Sequence, residues 1–161
     1  RVSGWAVRDA GMPTWIAGEA KTQAERVEAV ERAQAHARFC GHALVVVAEK
    51  WTAHGAFGGA RTQRGLGQAW GLWMAALETA WHPKRRVVRV YPATWRARVL
   101  GMGGRGATTE ACRAAAWRVA EEIGVDHGGS EDACEAACIV LWGLGHSEEV
   151  AALVPKRRKA A

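Results

Sequence analysis

The sequence predicts a mixed α/β domain, in which helices cover both faces of a mixed β-sheet. Three observations predict it: short apolar runs bounded by turn residues, segments whose apolar side chains recur at helical spacing, and the order of the two. Two strands come first, then helix, strand, helix and strand, and finally helices alone. The 161 residues, 49% of them hydrophobic, suffice for one domain with a core over residues 1–150. Residues 151–161 are expected to form a basic tail.

The chain begins with two predicted strands, residues 2–8 and 14–17, joined by a turn at residues 10–13. The sequence Thr-Gln-Ala-Glu at residues 22–25 is a capping box, in which the hydroxyl and the carboxylate each satisfy a helix-start amide. This pattern predicts a helix that ends near Gly41.

The next segments are predicted to form a strand, a loop and a long helix. The apolar run at residues 43–48 predicts a buried strand that closes with Glu49. Residues 52–61 are rich in glycine and small side chains, which predicts a mobile loop. The helix is expected over residues 62–81 and should end before Pro83.

The second half of the chain is predicted to be mainly helical. Residues 87–90 form a further strand, and residues 92–100 a short helix that begins with proline. Residues 101–106 are rich in glycine and predict a flexible basic loop. Two helices, expected over residues 109–123 and 130–145, complete the domain.

The formal net charge of +6 favours a polyanionic partner such as nucleic acid. The sequence shows no signal peptide and no run of the about 20 apolar residues that a membrane span requires. We therefore expect no membrane partner and a cytoplasmic location, associated with the nucleoid if the source is a bacterium or a phage.

The four cysteines predict core packing rather than a disulfide or zinc scaffold. Cys40, Cys112, Cys134 and Cys138 contain no close C-x-x-C pair. Cys134 and Cys138 are one helical turn apart, as are His36 and Cys40, so a zinc site stays open as an alternative. Cysteine is among the residue types most often buried, which favours apolar packing.

Acidic residues at a strand end and at a helix start predict a divalent-metal site. Asp132 and Glu135 are three residues apart and therefore project from the same helix face. Glu49 closes the buried strand. In a basic protein, such acids indicate a site that acts on phosphate, and Mg²⁺ prefers hard oxygen ligands. The alternative is an acidic helix start favoured by the helix dipole, and Glu131 competes with Asp132 for the metal role.

Five segments, in order along the chain, match the pattern of one family: residues 1–7, 45–50, 65–71, 90–101 and 132–136. They contain Arg-Val-Ser-Gly, a strand that ends in Ala-Glu-Lys, Gly-Leu-Gly-Gln, Tyr-Pro-Ala-Thr-Trp-Arg followed by Val-Leu-Gly, and Asp-Ala-Cys-Glu-Ala. Together they resemble the RuvC-type Holliday-junction resolvases of the RNase H-like superfamily. The resemblance spans nearly the whole chain.

The resemblance implies an RNase H-like mixed β-sheet flanked by helices on both faces, and a metal-dependent nuclease site. It implies that Glu49, Asp132 and Glu135 are catalytic and bind metal, with Glu135 in place of the second Asp of the family's last motif. They would hold two Mg²⁺ ions, or Mn²⁺, roughly 4 Å apart, which activate a water and stabilise the leaving oxygen. Glu49 is expected near one ion, and Asp132 and Glu135 at the other. No other cofactor is expected.

The chain departs from the family at two places. The first catalytic Asp of the family would precede Arg1, and Asp9 lies at the wrong end of its strand to replace it. We expect the first strand to lie upstream of residue 1, since its loss would expose a sheet edge. Alternatively, the protein lacks a ligand and does not cleave. A family lysine after Gly101 has no lysine counterpart, and Arg105 or Arg113 is the nearest substitute.

The expected DNA contacts are mainly electrostatic. The basic candidates are Lys50, Arg61, Arg64, Arg96, Arg98, Arg105 and residues 156–159. Arg96 matches a basic family position beside the metal site. Trp51 or Phe57 is expected to stack on bases near the junction centre, although core packing explains them equally well.

The predicted helix 62–82 carries an apolar stripe that has two interpretations. Its members are Leu66, Trp70, Trp73, Met74, Leu77 and Trp81. The stripe either packs on the sheet or, as the resemblance implies, forms a two-fold homodimer interface. A symmetric dimer would place two metal sites on two strands of a four-way junction.

The sequence therefore predicts a Mg²⁺-dependent, dimeric endonuclease that resolves four-way (Holliday) DNA junctions by paired symmetric nicks. One alternative is another RNase H-like nuclease, acting on RNA–DNA hybrids or branched DNA. A second is a junction-binding architectural protein that does not cleave. An actin-like phosphotransferase is disfavoured because the chain has no second glycine-rich phosphate loop.

Overall fold

The computed structural model describes residues 3–8, 15–41, 44–49, 60–80, 87–103 and 107–145. Within these ranges the chain has the mixed α/β class that the sequence predicts. Its elements, in chain order, are β1 (Ser3–Arg8), β2 (Trp15–Ala20), α1 (Gln23–Phe39), β3 (Val46–Glu49), α2 (Ala60–Ala80), β4 (Val87–Val90), α3 (Pro92–Val99), α4 (Thr109–Glu122) and α5 (Glu131–Gly145). No helix within them is long and apolar enough to cross a membrane.

The four described strands form two separate pairs instead of the single sheet expected from the sequence. Strands β1 and β2 are antiparallel, with Ser3 opposite Ala20. Strands β3 and β4 are parallel, with Glu49 opposite Val90, and α2 makes the crossover that a parallel pair requires. The pairs are joined by helix packing, because α5 contacts β1, β2 and β3.

Helices lie against both faces of the parallel pair. Adjacent residues of a strand point to opposite faces, and here they join different apolar clusters. Val46 and Val87 pack with α1 and α2, whereas Val47, Val88 and Val90 pack with α3, α4 and α5. The short strands β3 and β4 are thus covered by apolar side chains above and below, which agrees with the five valines among their eight residues.

The capping box predicted at the start of α1 is present. Thr22 Oγ1 accepts a hydrogen bond from the Glu25 amide at 3.2 Å, and Glu25 Oε2 accepts one from the Thr22 amide at 3.0 Å. At the other end, Gly41 has φ 69°, the left-handed conformation that glycine adopts most readily after a helix. The predicted bounds of α1 are therefore confirmed.

The burial of the cysteines and of part of the apolar stripe of α2 favours core packing over a zinc site and a dimer interface. Cys134 and Cys138 are fully buried in the larger apolar cluster, and all four cysteines are free thiols. On α2, Leu77 is buried against α1, and Trp73 and Met74 are partly buried beside it. Half of the predicted apolar stripe of α2 is thus used inside the chain. Of the other three stripe residues, Trp70 is described. The side chain of Leu66 and the whole of Trp81 lie outside the described part.

Two glycines let α5 lie directly on both strand pairs. A Cβ built on Gly4 of β1 would overlap the backbone of Asp132 and Ala133 at the start of α5. A Cβ built on Gly143 would stand 2.8 Å from Val47 Cγ2 of β3. Because backbone atoms cannot move aside as a side chain can, the contact at Gly4 fixes the first turn of α5 relative to β1.

Gly4→Ala is expected to lower the free energy of unfolding by about 1–3 kcal/mol, the usual cost of overpacking a core. The measurement is denaturant unfolding followed by circular dichroism. Gly145→Ala is the control, because Gly145 is the exposed last residue of α5 and a Cβ there meets none of the described residues within 4 Å. This control should change stability by no more than about 0.5 kcal/mol. Equal effects of the two substitutions would contradict the close contact.

Glu25→Gln is expected to lower stability in a pH-dependent manner. The backbone amides of Lys21 and Thr22 hold the pKa of Glu25 below its ordinary value of 4.5. Because its pKa is lowered, Glu25 stabilises the folded state when the pH is above its pKa in the unfolded state. This stabilisation is lost as the pH falls through its pKa in the folded state. The difference in melting temperature between wild type and variant should therefore be present at neutral pH and shrink below pH 4.5. A difference that does not change with pH would contradict the role of the carboxylate.

Candidate functional site

The candidate site lies at the carboxyl-terminal edge of the parallel strand pair. Glu49 is the last residue of β3, and its register partner Val90 is the last residue of β4. Helix α3 begins two residues later at Pro92. In open α/β structures, ligands bind outside the carboxyl ends of parallel strands. The predicted acid Glu49 is therefore at an edge where such a site is expected.

Glu49 is held by a buried tryptophan. The indole Nε1 of Trp95 donates a hydrogen bond of 2.9 Å to Glu49 Oε2. Trp95 has no solvent-exposed surface and belongs to the larger apolar cluster. A hydrogen bond to an ionised acceptor is stronger than one between neutral groups, so the carboxylate is oriented by a donor that packing holds in place.

The next residue, Arg96, faces the second predicted acid. Arg96 Nη2 lies 3.7 Å from Glu135 Oε1, and the side chains are 25% and 22% exposed. The guanidinium carbon of Arg96 is also 5.2 Å from the ring centroid of Trp95. Adjacent residues of α3 thus each hold one of the two acids, and the arginine stacks on the tryptophan.

The charges of the other two predicted acids act on the pKa of Glu135. Burial is the largest cause that raises the pKa of Glu135 above 4.5, and the charges of Glu49 and Asp132 raise it further. The positive charges of Arg96 and Arg113 lower it and offset only part of this effect. The carboxylates therefore repel one another, which is the situation that a bound cation relieves.

Glu131 and Asp132, which compete for the metal-binding role, have different surroundings in the first turn of α5. Glu131 pairs with Arg113 at 3.2 Å on the surface, where both side chains are about half exposed. Asp132 is half-buried and lies against Gly4 through its backbone. Ser130 Oγ accepts a hydrogen bond from the Ala133 amide at 3.0 Å and caps the turn. Glu131 is thus engaged at the surface, and the choice of Asp132 as the partner of Glu135 stays a prediction.

The predicted metal ligands do not form a ready-made metal site in the described part of the structure. Among the described residues, no three His, Cys, Asp or Glu side chains are grouped closely enough to hold an ion by themselves. Magnesium is commonly bound by one or two carboxylates together with waters and substrate phosphates. Magnesium binding by Glu49, Asp132 and Glu135 therefore stays a prediction.

The cysteines do not favour zinc. Burial is the main cause that raises the pKa of Cys134 to about 11 and that of Cys138 to about 12. Both side chains lie in the apolar core, and the described residues contain no group of three His, Cys, Asp or Glu side chains that could hold an ion. Cys40 Sγ contacts His36 Nε2 at 3.8 Å, a contact between the C-cap of α1 and a residue in its last turn.

The predicted DNA-binding residues are distributed unevenly. Arg96 lies beside Glu135, while Arg64 on α2 and Arg98 on α3 are exposed to solvent. Arg61 is in α2, but its side chain lies outside the described part of the structure. The remaining candidates also lie outside it: Lys50, Trp51, Phe57, Arg105 and residues 156–159.

Trp95 is the site residue that sequence reasoning missed. In the sequence, Trp95 stands within the segment Tyr-Pro-Ala-Thr-Trp-Arg, and a tryptophan on a helix most often packs in the core. The signal that identifies it is the parallel pairing of β3 with β4. That pairing places the start of α3 beside Glu49, and Trp95 is the large hydrogen-bond donor on the first turns of α3.

Comparisons of the chain with models of protein families, with curated proteins and with solved structures found no match for it. Its function is therefore inferred from the residues and the geometry described above.

Glu135→Gln is expected to raise the free energy of unfolding at about pH 7. A raised pKa means that the folded state favours the protonated form of Glu135. The contribution of Glu135 to stability is therefore full below its pKa of 4.5 in the unfolded state, and it is lost as the pH rises through its pKa in the folded state. Glutamine is neutral at every pH and avoids this loss. Thermal unfolding across pH should give a gain at neutral pH that shrinks toward pH 4.5.

Glu131→Gln is the matched control, since Glu131 is on the same helix and also faces an arginine, but at the surface. Exposed ion pairs contribute at most about 1 kcal/mol, so this variant should show no gain in stability. A loss of stability in Glu135→Gln at neutral pH would contradict the described environment of Glu135.

Proposed function

We propose that this protein is a Mg²⁺-dependent endonuclease that resolves four-way DNA junctions by paired symmetric nicks, built on an RNase H-like fold. The observation that carries the proposal is the chain of contacts from Glu49 through Trp95 and Arg96 to Glu135, at the carboxyl-terminal edge of a parallel strand pair. Glu49 and the pair formed by Asp132 and Glu135 come from two segments that are far apart in the sequence. Their convergence supports a common role.

In this proposal the acids supply the oxygen ligands, and the neighbouring residues hold those ligands in place. Two bound Mg²⁺ ions would activate a water for attack on the phosphodiester and stabilise the leaving oxygen. Trp95 orients Glu49, and Arg96 holds Glu135 while reducing the repulsion among the carboxylates.

Arg96 also supports a phosphate-containing substrate. Its side chain is 25% exposed beside Glu135. A guanidinium offers several donors in a fork that matches phosphate oxygens, so Arg96 can hold Glu135 with Nη2 and direct another donor to a phosphate. The exposed Arg64 and Arg98, with the net charge of +6, add attraction for a polyanion.

The proposed homodimer uses the outer face of α2. Since Leu77 packs inward on α1, the interface is assigned to the exposed residues that recur at helical spacing on the other side. Within the described part of α2 these are Arg64, Gln68, Gly71, Leu72 and Ala75. Sedimentation equilibrium at micromolar concentration tests the dimer.

A cleavage assay tests the proposed activity, with a four-way junction, a linear duplex and an RNA–DNA hybrid as substrates, each with Mg²⁺ or with EDTA. Symmetric nicks are expected in the junction alone, and only with Mg²⁺. Glu49→Gln and Glu135→Gln should each reduce the rate by more than the about 10- to 100-fold that loss of an outer-shell partner costs. Glu131→Gln should cleave like wild type.

Three outcomes would overturn the proposal. Cleavage of the hybrid in preference to the junction would indicate a different nuclease of the same metal chemistry. Tight junction binding without cutting would indicate an architectural protein. Unchanged cleavage by both Glu49→Gln and Glu135→Gln would show that the metal site is elsewhere.

A further inference from the structure

We infer that Trp95 is a positioning residue for Glu49: its indole N–H fixes the direction of the Glu49 carboxylate so that the acid is ready to bind a divalent cation. The inference rests on the proposed function, because it assigns Glu49 a metal. Its basis is the 2.9 Å hydrogen bond from Trp95 Nε1 to Glu49 Oε2, between residues that are 46 positions apart in the chain.

The donor in this hydrogen bond is rigid. Trp95 is fully buried among side chains that include Val90 and Cys134, so its ring cannot change rotamer without disturbing the core. The N–H vector is therefore fixed by packing and not by the carboxylate. A ligand held by a locked neighbour loses less conformational entropy when it binds a cation than a carboxylate free to rotate.

The backbone that carries Trp95 is fixed as well. Helix α3 follows β4 after the single residue Tyr91, whose carbonyl accepts hydrogen bonds from the amides of Thr94 at 2.9 Å and Trp95 at 3.3 Å. Pro92 occupies the first turn, where its restricted φ is already helical. The pairing of Glu49 with Val90 therefore sets the position of the indole relative to the carboxylate.

The same ring connects the two acids. Arg96 stacks on Trp95 with 5.2 Å between its guanidinium carbon and the ring centroid, and it faces Glu135 at 3.7 Å. Glu49, Trp95, Arg96 and Glu135 thus form one contiguous chain of contacts. The indole N–H acts on Glu49, while the π face acts on the arginine that holds Glu135.

A second tryptophan in the protein provides a matched control. Trp117 Nε1 donates to Glu121 Oε1 at the same distance of 2.9 Å, but this bond joins residues one turn apart on the surface of α4. Phenylalanine at either position removes the N–H and retains most of the apolar ring. Comparing the two variants separates the loss of any Trp–Glu hydrogen bond from the loss of the one at the site.

The test measures Mn²⁺ binding to the protein by electron paramagnetic resonance, with melting temperature as a check of folding. Trp95→Phe is expected to weaken Mn²⁺ binding by about 10- to 100-fold, the usual effect of losing an outer-shell partner. Trp117→Phe should bind Mn²⁺ like wild type. In a Glu49→Gln background, Trp95→Phe should cause no further loss, because the two residues act as one unit.

Each outcome of this test decides the inference. Wild-type affinity in a folded Trp95→Phe variant would overturn the positioning role and leave the proposed function intact. Equal losses with and without Glu49 would assign Trp95 a general structural role and also overturn it. A wild-type protein that neither binds Mn²⁺ nor cuts the junction would overturn the inference together with the proposed function.

A spectrum of the ¹⁵N-labelled wild-type protein provides a second test if Trp95→Phe does not fold. One indole N–H resonance should shift when Mg²⁺ is added, and the same resonance should be displaced in Glu49→Gln. If no indole resonance responds to both changes, Trp95 does not act on Glu49.

Discussion

The close contact of α5 with the strands is the constraint on which the rest of the structure depends. Its first turn touches the backbone of β1 at Gly4, and its last turn approaches β3 at Gly143. Between these points its buried face contains mostly alanine and cysteine, small enough for the helix to lie directly on the strands. This seating joins two strand pairs that share no hydrogen bonds in the described ranges, and it delivers Glu135 to the edge where Glu49 ends β3.

The site is maintained against an electrostatic cost that the rest of the fold offsets. A half-buried carboxylate beside two others is less stable ionised than it would be in water, and Arg96 and Arg113 compensate only in part. The apolar cluster around Trp95, Cys134 and Cys138 supplies the opposing stability. Functional sites that hold acids close together commonly lower stability, and packing elsewhere in the protein offsets this cost.

The sequence alone predicted the local elements well, because their signals are local. Capping at Thr22, the valine run before Glu49 and the proline at the start of α3 identify elements through hydrogen bonds and apolar spacing within a few residues. It did not predict the division into two strand pairs, since strand pairing depends on partners far away in the chain. The sequence also identified Glu49, Asp132 and Glu135, because they are acids at the ends of elements. The hydrogen bond from Trp95 to Glu49 could not be predicted in this way, because it depends on the register of β3 with β4.

The parallel pairing of β3 with β4 also has a consequence for how the chain folds. Parallel strands need a long crossover, so Glu49 and Trp95 meet only after 46 residues of chain have been brought into a closed loop. Contacts between distant segments reduce folding rates, because the entropy of loop closure is lost before they form. No short segment of the chain holds the acids together by itself. The candidate site therefore exists only in the folded domain, and partial unfolding that releases α3 or α5 would separate its residues.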